Sequence, residues 1–171
     1  MEIVIYTDGS SLNNQCKGKR RGGIGIYFGI DDIRNQSIPL IESDTNKVTN
    51  QVAELTACIV AIENVIYDKV YMDTKYSILI CTDSMYTVNC ITKWCKNWEK
   101  NNWKKSNGII IENLELIKTL YSYYKKYTIK FKHITAHKTE PPKSSPSYND
   151  WYGNMMADMY ATNASKNIIS I

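Results

Sequence analysis

Two hydrophobic runs of this chain end alike. Ile3-Val4-Ile5-Tyr6-Thr7-Asp8-Gly9-Ser10 and Ile78-Leu79-Ile80-Cys81-Thr82-Asp83-Ser84 each lead through β-branched and aromatic side chains to a Thr-Asp pair and then a turn-forming residue. Such runs read as buried strands, the first one ended by Gly9-Ser10. Open α/β sheets bind their ligands beyond the carboxyl ends of their strands. Asp8 and Asp83 are therefore expected to converge at one end of one sheet. Two carboxylates held that close call for a metal ion.

The remaining pattern supplies the rest of such a sheet. Residues 2–8 form the first strand and 11–22 a polar loop. Residues 23–30 form a second strand, whose glycines let a backbone or ligand come close. Residues 37–41 make a short third strand, placed near an edge by Pro39. Asn50 reads as the N-cap of a helix over 51–67, where Leu55, Ile59, Ile62 and Ile66 share one face. Residues 77–82 are the fourth strand and 85–95 a second helix. Leu114, Ile117, Leu120 and Tyr121 mark a further helix, and 128–135 a fifth strand. Pro141, Pro142 and Pro146 make 138–148 a loop, and the last helix starts near Asn149 or Asp150. Its Ala157, Ala161 and Ala164 form a small-residue stripe that permits close packing. The order of elements gives a mixed α/β architecture around a five-stranded sheet.

With 171 residues and neither internal repeat nor linker, residues 1–171 are expected to be one domain. No run approaches the ~20 apolar residues of a membrane span, and the N-terminus lacks a basic-then-apolar signal pattern. The five cysteines are odd in number and form no C-x-x-C. They read as reduced thiols of an intracellular protein, cytoplasmic or nuclear rather than secreted. Two histidines and scattered cysteines give no zinc spacing. The net charge of +4 is modest, but its distribution is not. Lys93, Lys96, Lys100, Lys104 and Lys105 alternate with Trp94, Trp98 and Trp103 against the one acid Glu99. That segment is either a nucleic-acid surface, with lysines on phosphates and rings on sugars or bases, or an amphipathic helix with core tryptophans and solvated lysines.

Two more acids join the strand-end pair. Glu54 lies about one turn into the first helix, one residue off its apolar stripe, and Asp158 borders the alanine stripe of the last. Either alone reads more readily as a solvated helix acid or cap. Together, four carboxylates cannot all stay ionised without a counter-charge, and magnesium or manganese supplies it with hard oxygen ligands. Two such ions can activate a water and stabilise the leaving oxygen of an in-line phosphoryl displacement.

Tyr6-Thr7-Asp8-Gly9-Ser10, Thr49-Asn50-Gln51 through Glu54, Thr82-Asp83-Ser84 and Gly153-Asn154 through Asp158 resemble type 1 ribonuclease H in order and rough spacing. The likeness covers nearly the whole chain. It extends through Cys90 to Lys104, which looks like the basic protrusion of the cellular enzymes, here about 93–108. The resemblance implies the ribonuclease H-like α/β fold, a five-stranded mixed sheet flanked by helices. It implies an endonuclease cutting the RNA strand of RNA–DNA hybrids by two-metal-ion catalysis, with 5′-phosphate and 3′-hydroxyl ends. The cofactor would be two Mg²⁺ ions, with Mn²⁺ as a substitute, and the enzyme a monomer without a separate hybrid-binding domain.

By the same resemblance Asp8, Glu54, Asp83 and Asp158 are the catalytic, metal-binding acids, with Asp8 bridging the two ions. His137 matches a mobile-loop histidine that shuttles a proton or helps release product; His133 reads as structural. Ser11, Asn13, Asn14, Asn50, Gln51 and Met85 match positions that meet the RNA strand, where 2′-hydroxyls are displayed. Lys47, Thr49 and Asn113 match a pocket for a phosphate of the DNA strand, and Tyr86, Trp94, Trp98 and Ser106 line the DNA channel. Lys96, Lys100, Trp103 and Lys104 belong to the protrusion. Val52 departs from a basic residue common in cellular members. The interval from His137 to Asp158 is longer than usual. Competing readings are a DNA-cleaving resolvase or transposase-type nuclease on the same fold, and a hybrid-binding module without catalysis.

Overall fold

The structure, a computed structural model, describes residues 1–12, 20–43, 47–71, 75–136 and 138–166. Its strands are β1 (Glu2–Leu12), β2 (Arg21–Tyr27), β3 (Gln36–Ile41), β4 (Ser77–Thr82) and β5 (Ile129–His133). They lie in the order β3-β2-β1-β4-β5. β1, β4 and β5 are parallel, while β2 and β3 run antiparallel to their neighbours. This is the mixed five-stranded sheet that the element order implies, with β3 at the edge. The helices are α1 (Asn50–Ile66), α2 (Met85–Asn89), α3 (Cys95–Lys100), α4 (Leu114–Lys126) and α5 (Tyr148–Lys166). Among the described residues, no helix is long and apolar enough to cross a membrane.

Strand alternation divides the sheet into two faces. Ile3, Ile5, Ile24, Ile26, Ile78 and Ile80 join the buried face of α1 and Ile117 and Leu120 of α4 in the main core. Tyr6, Tyr27 and Cys81 face the other way and meet Ala157 of α5. Thr7 points into the first layer, against the Cys58 sulfur of α1. By the same period Asp8 falls on the α5 side.

Several boundaries differ from those read in the sequence. β1 does not stop at Gly9-Ser10: it pairs with β2 as far as Leu12↔Arg21, whereas its parallel pairing with β4 ends at Thr7↔Thr82. Asp8 thus stands one residue beyond the parallel pair, with its backbone still held by Gly25. Gly9 is not a terminator. A Cβ there would run into the Glu54 amide nitrogen, so glycine lets α1 lie directly on β1. Gly25 does the same for α5, whose Ala157 carbonyl occupies the space of its missing Cβ.

The cap of α1 is Thr49 rather than Asn50. Thr49 has the extended backbone a cap needs, and its hydroxyl accepts the Val52 amide at 3.2 Å. The helix expected over 85–95 continues to Lys100 through a π-turn, Cys90–Trp94, where the Cys95 amide bonds to the Cys90 carbonyl. β5 ends at His133, α5 begins at Tyr148, and β2 runs from Arg21 to Tyr27. Four cysteines (Cys58, Cys81, Cys90 and Cys95) are buried and free.

Candidate metal-binding active site

Three local devices bring acids together where β1 and β4 part. Asp8 follows the last parallel pair of β1 and is buried. Asp83 occupies the step from β4 into α2, fixed on both sides: the Ser84 amide donates to Thr82 Oγ1 at 3.1 Å, and Ser84 Oγ accepts the Thr87 amide. Glu54 sits in the α1 turn that Gly9 allows against the sheet. One carboxylate oxygen from each of Asp8, Glu54 and Asp83 lies within 4.8 Å of the others. Asp158 is outside this tight set. It lines a cavity of about 170 Å³ with Asp83, Thr135 and Asn154, and its charge is felt at Asp8.

The electrostatics are those of carboxylates crowded into a buried site. Burial first, then the charges of Asp83 and Asp158, push the Asp8 carboxyl up to about 7. Burial and the charges of Asp8 and Asp83 push Glu54 up to about 9. The two carboxyls lie side by side, so each one's charge makes it harder for the other to ionise. Glu54 Oε2 is nevertheless buried without a hydrogen-bond partner. An orphaned carboxylate oxygen among crowded hard donors fits a divalent cation of the magnesium or calcium type, and Asp8, Glu54 and Asp83 are the residues that would hold it.

Asn154 is a site residue that sequence reading passed over. It is buried, its Nδ2 donates to Asp83 Oδ2 at 3.4 Å, and its Oδ1 has no partner. Its spacing of one helical turn before Asp158 was the available signal, because residues at i and i+4 share a face. His133, expected to be structural, places its Nε2 3.2 Å from the Asp83 carbonyl oxygen.

The other expected site residues fall into groups around the acids. Asn50 is free of capping, and its Oδ1 accepts both the amide and the hydroxyl of Ser11, at 2.9 and 2.6 Å. Gln51 Oε1 accepts from Asn113 at 3.4 Å. Lys47 and Asn113 line a groove of about 620 Å³ whose walls include Val52 and Leu114. The Thr49 hydroxyl is occupied by its capping bond. Tyr86, Trp94 and Trp98 line a smaller cavity with Gln51, their rings in sequence at 6.3 and 5.6 Å. Met85 is exposed, as are Ser106, Lys96, Lys100 and Lys104.

The two readings of the lysine/tryptophan segment divide between residues. Trp103 packs on the core edge-on to Tyr121, with Lys118 over its ring, whereas Trp94 stays at the surface. Asn13, Asn14 and His137 lie outside the described residues.

A profile of the RNase H family matches residues 1–166. The chain is 36% identical over 158 residues to a ribonuclease H of Schizosaccharomyces pombe, covering 92% of this chain and 51% of the relative. It is also 36% identical over 145 residues to a probable ribonuclease H of Acanthamoeba polyphaga mimivirus, covering 85% and 58%. This chain spans about half the length of these curated relatives. The crystal structure of LC9-RNase H1 superposes with a TM-score of 0.70 at 23% identity, over 98% of this chain and 74% of that one, and shares its fold. A whole-chain family match on a five-stranded mixed sheet, with the acids at the end of its parallel strands, leads to one conclusion: the chain belongs to the RNase H family.

Proposed function

We propose that this chain is an endonuclease that hydrolyses the RNA strand of RNA–DNA hybrids, leaving 5′-phosphate and 3′-hydroxyl ends. The observation that carries the reading is the buried Asp8–Glu54–Asp83 cluster, with its unpartnered Glu54 oxygen, in a chain of the RNase H family. The proposed holders of two Mg²⁺ ions are Asp8, Glu54, Asp83 and Asp158, and such ions, when bound, lower the pKa of water and neutralise charge on a departing oxygen.

The chain's own residues orient the reacting groups. Asp8 has Glu54 and Asp83 beside it and feels the charge of Asp158, which supports a bridging role. Asn154 and His133 fix Asp83 through its side chain and its carbonyl. Ser11, Asn50 and Gln51 offer hydroxyl and amide groups that both donate and accept, suited to 2′-hydroxyls. His137 is assigned to proton transfer by the family pattern. In the reaction the oxygen of water bonds to phosphorus, the P–O3′ bond breaks, and a proton ends on the 3′ oxygen.

The test is a labelled RNA–DNA hybrid against RNA–RNA and DNA–DNA duplexes, with Mg²⁺ and with EDTA. Only the hybrid, and only with Mg²⁺, is expected to be cut. Asp83→Asn keeps shape and removes charge, and is expected to lower the rate by about 100-fold or more, about 2.7 kcal/mol of barrier. Cleavage of DNA–DNA, or Asp83→Asn running near the wild-type rate, overturns the reading.

A further inference from the structure

The cavity beside Asp83 and Asp158 has a cationic wall that the proposed function leaves unused. Lys138 lines it together with both acids. The connection carrying Lys138 is held from one side. The Trp151 indole nitrogen, on the first turn of α5, donates to the Lys138 carbonyl oxygen at 2.9 Å. Trp151 is itself set by its ring contact with Tyr148 at 5.7 Å and by the residue before it. Asp150 pairs with Lys132 of β5 at 2.6 Å and accepts the Tyr6 hydroxyl of β1 at 3.3 Å.

Lys138 and Trp151 also line a second cavity of about 170 Å³ with His133 and Pro141, and Lys138 is exposed. Among the described residues no carboxylate pairs with the Lys138 ammonium. A free cation on a long stem at the rim of an acid cluster attracts the polyanion that the cluster itself repels.

We propose that Lys138 binds a phosphate of the cleaved strand on the Asp158 side of the acid cluster, and that Trp151 is the positioning residue that sets it there. The inference rests on the hybrid-cleaving reading for the identity of that strand. Lys138 supplies three N–H donors to phosphate oxygens, and the indole fixes the backbone from which its stem departs.

The experiment combines steady-state cleavage of the labelled hybrid in Mg²⁺ with equilibrium binding of the same hybrid in EDTA over a salt series. Lys138→Ala is expected to raise KM about tenfold, with kcat nearly unchanged. It should also flatten the slope of log affinity against log salt by about 0.7 to 0.9. Lys138→Arg is expected to keep both values. Trp151→Phe retains a ring but loses the N–H; it should move KM the same way by less, and add nothing to Lys138→Ala.

Unchanged KM and slope in Lys138→Ala overturn the proposal. So does a variant whose only change is tighter Mg²⁺ saturation, which would make Lys138 a counter-ion of the acids. Full additivity of the two substitutions overturns the role of Trp151. A wild-type chain that binds hybrid without cutting it, with the slope still flattened by Lys138→Ala, sinks the cleavage reading and keeps the phosphate contact. One that neither binds nor cuts sinks both.

Discussion

Asp8, Glu54 and Asp83 stand on a strand, a helix and a strand end that the core itself holds in place. Lys138, across the same cavity, stands on a connection that an indole hydrogen bond ties to α5, with the Lys132–Asp150 ion pair beside it. The acids inherit their geometry from backbone packing: α1 lies on Gly9 and α5 on Gly25. Lys138 inherits its geometry from side chains that reach across. Charge that must sit at fixed distances belongs on the first kind of support. A group that follows a substrate backbone tolerates the second, since a phosphate contact by an ammonium needs charge more than angle.

Breaking the rigid side should cost most. In Gly25→Ala the new methyl meets the Ala157 carbonyl, a backbone atom that cannot turn away. Either α5 lifts from β2 or the strand bends. Unfolding in urea should show a loss of about 3 kcal/mol, the upper end of ordinary overpacking. Because Asp158 rides on α5 one residue after Ala157, hybrid cleavage should fall with stability. Native stability in the Gly25→Ala variant would mean that the close approach of α5 is not a constraint of this fold.

The next effect separates the acids from their surroundings by pH. Asp8 and Glu54 are raised to about 7 and about 9, against about 4 in an unfolded chain. Between those values the folded state binds more protons than the unfolded one, so stability falls as pH rises. Their contribution is fully present below about pH 4 and is lost progressively through about 7 and 9. A divalent cation offsets the loss by taking the place of the protons bound at low pH. At a hundred times its dissociation constant it adds about 2.7 kcal/mol. The rise in melting temperature on adding Mg²⁺ should therefore be larger at pH 8.5 than at pH 6, and shrink in Glu54→Gln. Equal shifts at both pH values would separate metal binding from these carboxyls.

The same division governs what was legible in the sequence. Runs such as Ile3–Tyr6 and Ile78–Cys81 announce buried strands by composition alone, and the acids at their ends follow by position. Gly9 misleads because a glycine that ends a strand and a glycine that admits a neighbouring helix look identical until the neighbour is known. Here the neighbour is the Glu54 amide, far along the chain. Thr49 and Asn50 are adjacent, and both are residue types that favour the N-cap. What assigns the cap to Thr49 and leaves Asn50 for Ser11 is a contact between residues 39 positions apart. Asn154 carried a local signal, its one-turn offset from Asp158. Trp151 carried none, since nothing in a proline- and lysine-rich stretch says which carbonyl an indole will find.

The smallest effect probes the weakest support. Tyr6 lies in the α5-side core, and its hydroxyl reaches Asp150 at 3.3 Å. Burial, with the charges of Cys81 and Asp150, holds this phenol protonated well above its ordinary range, so it donates throughout the working pH. Tyr6→Phe removes one long hydrogen bond and leaves the Lys132–Asp150 pair intact. That pair is partly exposed on both sides and contributes at most about 1 kcal/mol. Stability should drop by about 0.5 kcal/mol, and hybrid KM should stay within about twofold, because Trp151 still bonds to Lys138. Adding Lys132→Met removes the second tether of Asp150 and should raise KM toward that of Trp151→Phe. If the double variant leaves KM where it was, Trp151 is set by its own ring contacts, and the comparison narrows to a single hydrogen bond against a packed core.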